Sequence, residues 1–128
     1  MKFLSEEWFA AHEKKIREVL TPGKACTEMT ELYRNCPDGR TVWIYYKIEN
    51  GLLADIRMGE GEATLPKATF GGSGDYSSYV KSAKGELNAV KAISQGYFKF
   101  NGNLLKALPM LDIYNKVNAA KVFPDNEY

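Results

Sequence analysis

The sequence predicts an α+β fold: a five-stranded, mostly antiparallel sheet with helices on one face. Three observations carry that expectation. Residues 41–58 hold two runs rich in β-branched and aromatic residues, joined by Asn50-Gly51, the pair that builds tight hairpins. Two shorter strand-like runs, Lys67 to Gly72 and Tyr97 to Phe100, are interleaved with helical patterns. A chain of 128 residues with 45% apolar content can bury one core and needs no second, so residues 1–128 are expected to form one domain.

The elements follow in order. Ser5 is a good N-cap, and Glu6 and Glu7 put carboxylates at the positive end of a helix running to about Leu20, with Trp8, Phe9, Ile16, Val19 and Leu20 along one side. Thr21-Pro22-Gly23 ends it. His12, the only histidine, sits among charged neighbours and reads as a surface or half-buried helical residue. Thr27 to Arg34 has strand character but sparse apolar content. Asn35 to Gly39 is a turn, because proline presets one dihedral and Asp-Gly supplies the positive one. Thr41 to Ile48 is the strongest strand, with Val42, Ile44, Tyr46 and Ile48 on one face and Trp43 and Tyr45 on the other. Leu52 to Met58 returns antiparallel to it, and Gly59 to Glu62 is a polar loop.

After the Lys67 to Gly72 strand, Ser73 or Asp75 caps a helix through Tyr76, Tyr79, Val80 and Ala83, and Gly85 stops it. Leu87 to Ser94 makes another short helix, with Leu87, Val90 and Ile93 inward. Asn101-Gly102 turns the chain after the last strand, and Asn103 caps a helix bearing Leu104, Leu105, Leu108 and Leu111. Pro109 removes a backbone donor and disfavours helical geometry at Leu108, which predicts a kink or restart before Met110, Ile113, Tyr114 and Val117. The tail from Val122 is expected to run extended over the surface.

Composition excludes several function classes. A net charge of +1 argues against a nucleic-acid binder, which needs a concentrated basic face. Cys26 and Cys36 lack the spacing of a zinc ribbon or redox motif, and free thiols are the expectation in a cytoplasmic protein; the absence of a leader-like apolar run before Glu6 supports that location. The glycines of Gly71-Gly72-Ser73-Gly74 match neither the dinucleotide fingerprint nor a P-loop, and read as a flexible strand-to-helix turn. No nucleophile pairs with a base and no metal-ligand cluster occurs in the sequence, so neither catalysis nor a cofactor is expected.

What remains is an excess of large apolar and aromatic residues in the second half of the chain. They either fill a core or line a dry cavity that takes an apolar guest, since filling such a cavity recovers dispersion contacts. At Gly96-Tyr97-Phe98-Lys99-Phe100-Asn101-Gly102-Asn103-Leu104 the chain resembles the sterol carrier protein two family of small lipid-transfer domains. Trp43 in the second strand, Ala68-Thr69-Phe70, the Asp75 to Gly85 helix, the Ser5-Glu6-Glu7-Trp8 start and the Val122-Phe123-Pro124 ending fit the short prokaryotic members. The resemblance implies an apolar tunnel between sheet and helices that holds a fatty acid, fatty acyl or sterol-like ligand, without enzymatic activity. Its walls would be Trp43, Phe70, Phe98, Phe100, Leu104, Leu105 and Leu108, with Tyr76, Tyr79 and Val80 opposite. A homodimer or an accessory subunit of a lipid-handling enzyme is the competing expectation, because exposed apolar surface also recruits protein partners. Lys81, Lys84, Lys91 and Lys106 are candidates for transient contact with an anionic membrane.

Overall fold

A computed structural model describes the backbone of residues 1–128 and the side chains of all but residues 89 and 90. The Val90 side chain, expected to face inward, is outside the described residues.

Helix α1, Glu6–Val19, starts at Ser5, whose side chain accepts from the Trp8 amide at 3.2 Å. Strands β1 (Thr27–Arg34), β2 (Val42–Glu49) and β3 (Leu52–Glu60) follow. The β2–β3 turn holds Asn50 at φ 52° and Gly51 at φ 79°, as a tight hairpin requires. Strand β4 (Phe70–Asp75) runs directly into α2 (Tyr76–Ala83), then come α3 (Ala89–Ser94) and β5 (Phe98–Asn101). Helix α4 (Leu104–Ala107), a 3-10 turn at Leu108–Met110 and α5 (Leu111–Ala119) close the chain. Pro109 sits in that 3-10 turn, which is the restart its missing donor predicts.

The sheet order is β3-β2-β1-β4-β5. Three of its four ladders are antiparallel, and β1–β4 is parallel. The weakest strand signal therefore belongs to the central strand.

One face carries the main core. Met29 and Tyr33 of β1, Val42, Ile44, Tyr46 and Ile48 of β2, and Leu53 and Ile56 of β3 pack there against Trp8 and Ile16 of α1, Tyr76 and Tyr79 of α2, and Val117 of α5. On the other face, among the described residues, Leu32, Trp43 and Tyr45 form a small hydrophobic cluster with Leu65 packed against it.

Four expectations are corrected. The glycine cluster is not a turn: β4 begins at Phe70, three residues later than expected, and Gly71, Gly72 and Gly74 pair with β1 and β5. Small residues are needed there because a Cβ on Gly71 would lie 2.9 Å from Thr30 Oγ1, and one on Gly74 would lie 2.6 Å from the Phe98 ring. His12 is fully buried. Ile93 is exposed, and among the described residues of α3 it is Ala92 that is buried. The tail is anchored: Lys121 is buried, Phe123 packs on the core, and Lys2 and Glu127 form a parallel bridge that joins the two ends of the chain.

Candidate functional site

Neighbours across a ladder point to the same face, so the register sorts the expected wall residues. Trp43 pairs with Leu32 on the sparsely covered face. Its Nε1 donates to Thr64 Oγ1 at 3.0 Å, and its ring lies where a Cβ on Gly59 would be, 2.3 Å away. The sheet thus separates Trp43 from the helices, and it does not join the other candidates.

On the helix-covered face, Phe70 pairs with Met29, and Phe100 and Phe98 pair with Gly72 and Gly74. The Phe70 and Phe100 rings stack at 6.1 Å, Tyr79 meets Phe98 at 4.7 Å, and Tyr33 meets Tyr79 at 3.9 Å. Val80 packs half-buried beside them. Phe70, Tyr79, Val80, Phe98 and Phe100 are therefore gathered at the β4–β5 end. Tyr76 lies to one side, with its ring 5.7 Å from Phe3, in a cleft of about 150 Å³ lined also by Cys36 and Tyr128. A second cleft of similar size opens on the opposite face, between Thr30, Leu32, Gly71 and Asn101.

The closing segment does not seal the β4–β5 end. Leu104, Leu105, Leu108 and Leu111 are 55%, 77%, 54% and 40% exposed. They form an outward apolar ridge, where wall residues were expected. The cause is local: α4 spans four residues and Pro109 breaks the hydrogen-bond ladder, so the segment cannot turn one continuous stripe inward. Ala107, Met110 and Ile113 face the core instead, while Phe98 and Phe100 stay half-buried. A Cβ built on Gly72 would meet no heavy atom within 4 Å, so open space stands over the sheet at this end.

Beside that space lies a buried polar cluster absent from the expectations. Glu31 pairs with Gly72 across the β1–β4 ladder and is 4% exposed. Its Oε1 accepts from Tyr46 at 2.7 Å and from Tyr33 at 3.2 Å, and its Oε2 accepts from Lys121 Nζ. Lys121 Nζ also donates to Asn118 Oδ1 at 3.2 Å and stands over the Tyr33 and Tyr79 rings at 5.8 and 5.6 Å. Burial by itself would raise the Glu31 carboxyl, but the charge and hydrogen bond of Lys121 and the Tyr46 hydroxyl hold it below its ordinary value. Glu31 is thereby held as a carboxylate, with Lys121 as its partner.

His12 completes the cluster. Nδ1 donates to the Ala120 carbonyl at 2.9 Å, and Nε2 lies 2.8 Å from the Tyr46 hydroxyl. Burial, reinforced by the Lys121 charge, lowers its pKa to about 4. With Nδ1 held by the Ala120 carbonyl and the ring fully buried, His12 is a structural group and not a poised base. The legible signal for this cluster was Glu31 alternating with Met29 and Tyr33 at the period of one strand face.

Among the described residues, no group of three or more His, Cys, Asp or Glu could hold a metal, and no helix is long and apolar enough to cross a membrane. Cys26 and Cys36 are free thiols.

No protein-family model matches the sequence, and no curated protein does. Solved structures do match the fold. Sterol carrier protein 2 superposes with a TM-score of 0.76 at 17% sequence identity, over 91% of this chain and 95% of that one. A Thermus thermophilus protein described as possibly a sterol carrier protein gives 0.66 at 15% identity, over 94% and 91% of the two chains. A palmitated sterol carrier protein 2-like protein from Aedes aegypti gives 0.58 at 11% identity, over 87% and 92%.

Proposed function

We propose that this chain, whose fold is that of sterol carrier protein 2, is a non-enzymatic lipid-binding domain spanning residues 1–128. The ligand, a fatty acid, fatty acyl or sterol-like molecule, enters between the β4–β5 end of the sheet and the closing helices. The observation that carries this reading is the open space over Gly72, bordered by half-buried Phe98 and Phe100 and topped by the exposed leucine ridge. Apolar surface left in contact with water in this way gains by accepting an apolar guest. Phe70, Tyr79, Val80, Phe98 and Phe100 contact the acyl chain, and Leu104, Leu105 and Leu108 fold down over it. Trp43 takes no part, and Tyr76 sits at the margin.

Free thiols accord with action in the cytoplasm. Lys81, Lys84, Lys91 and Lys106 are all exposed and suit brief contact with an anionic membrane during loading. A homodimer through the leucine ridge is the competing reading, and light scattering on the lipid-free protein separates the two.

Burying about ten methylenes at ~0.8 kcal/mol each gives about 8 kcal/mol before ordering costs, which sets micromolar affinity as the ceiling. The test is titration with a fluorescent fatty-acyl probe alongside native mass spectrometry of the purified protein. Saturable one-to-one uptake is expected, weakened more than about tenfold in Phe100→Asp by the cost of placing a charge in an apolar site, and unchanged in Trp43→Phe. No uptake, with no co-purifying lipid, would refute the carrier reading.

A further inference from the structure

If the compartment takes a lipid, its inner end decides which head group fits. Tyr79 is 6% exposed, and Tyr114 of α5 is half-buried. Among the described residues neither hydroxyl has a hydrogen-bond partner, although Tyr33 and Tyr46 of the same cluster both donate to Glu31. The Tyr79 ring lies between Phe98 of the apolar wall and the Lys121 ammonium, which places this residue where the apolar compartment meets the buried ion pair. Tyr79 and Tyr114 are within electrostatic reach of each other and of Glu31, and burial raises both phenols well above their ordinary value, so both stay protonated donors.

The cations nearby are committed. Lys121 is held by Glu31 and Asn118, and Arg34, whose charge reaches Tyr79, is tied to Glu62 at 2.9 Å. A ligand carboxylate arriving here would be desolvated beside Glu31, and both Lys121 and Arg34 already have carboxylate partners. An uncharged oxygen instead meets two O–H donors that make no hydrogen bond within the fold and can donate to it.

We propose that the inner end of the compartment selects neutral lipids bearing a hydroxyl or carbonyl oxygen, held by the Tyr79 hydroxyl with Tyr114 as second donor, over lipid carboxylates. This specificity rests on the lipid-binding reading above. It makes the site one for alcohols, sterols or esters in preference to free fatty acids.

The test is displacement of bound Nile red at pH 8 by dodecanol, dodecanoate and dodecane. Dodecanol is expected to displace at about tenfold lower concentration than dodecanoate, which is a charged ligand at that pH. Tyr79→Phe and Tyr114→Phe should each weaken dodecanol by about threefold to tenfold more than they weaken dodecane, with the urea midpoint unchanged. Because neither hydroxyl bonds within the fold, both variants retain the native structure, and the second serves if the first expresses poorly. Dodecanoate binding as tightly as dodecanol, or phenylalanine variants that bind dodecanol as the parent does, would overturn the head-group assignment and leave lipid carriage standing. If Nile red and all three ligands fail to bind, lipid carriage falls and the assignment falls with it.

Discussion

His12 shows how one side chain ties stability to pH. The Tyr46 hydroxyl has one proton and two acceptors in reach, Glu31 Oε1 at 2.7 Å and His12 Nε2 at 2.8 Å. A proton added to His12 would satisfy both, but it would place a second cation in the core beside Lys121, and burial opposes it more strongly still. The folded-state value of about 4 lies below the ordinary value of 6.5, so the unfolded chain binds more protons between those limits. The stabilisation is complete above pH 6.5 and is lost as pH falls toward 4. By pH 5 the loss is about 2 kcal/mol. Urea denaturation at pH 7.5 and pH 5 should show it as a lower midpoint at the acid pH, and His12→Gln should remove most of the difference. Equal midpoints in the parent protein would exclude the mechanism.

At the scale of elements, β4 separates what the residues announce from what packing decides. Its glycines stand in a strand because Thr30 Oγ1 and the Phe98 ring approach the backbone, a crowding set by neighbours distant in sequence. Gly72, between them, has free space. Gly74→Ala should therefore cost about 1 to 3 kcal/mol through overpacking against Phe98 and the Tyr97 carbonyl, while Gly72→Ala should be neutral or slightly stabilising by restricting the unfolded chain. Thermal melts of the two variants test this, and equal losses would contradict the register. The β2–β3 hairpin and the restart at Pro109 were legible because their causes lie within a few residues: a turn with positive φ and a missing donor. The same locality hid the direction of the leucines. Helical spacing shows that a stripe exists, not which way the segment carrying it is turned, and Leu104, Leu105 and Leu108 face outward. Trp43 misled for a related reason: alternation in β2 separates two faces without saying which one the helices cover.

At the scale of the whole molecule, the core depends on the end of the chain. Lys121 is 90 residues from Glu31, yet it supplies that carboxylate's counter-charge, and its carbonyl accepts from Trp8 Nε1 at 3.0 Å. The Glu127 carbonyl accepts from the Phe3 amide at 2.9 Å, which fastens the two ends together. Sparse apolar content in β1 is thus not weakness in the strand: the central strand carries a charge that only the distant tail neutralises, a dependence that pattern-reading along the sequence cannot reach. A chain ending at Ala120 would leave Glu31 buried and unpaired at about 3 to 5 kcal/mol, and the Trp8 indole unsatisfied at about 1 to 3 kcal/mol. Against the usual 5 to 15 kcal/mol of a domain this size, that removes most of the margin. The shortened chain should lose its cooperative urea transition followed by tryptophan fluorescence. Adding Glu31→Leu to it should restore a cooperative transition, because an apolar side chain at that position needs no partner. If the shortened chain keeps the parent midpoint, or if Glu31→Leu recovers nothing, the tail acts through its packing and not through the charge it brings to the central strand.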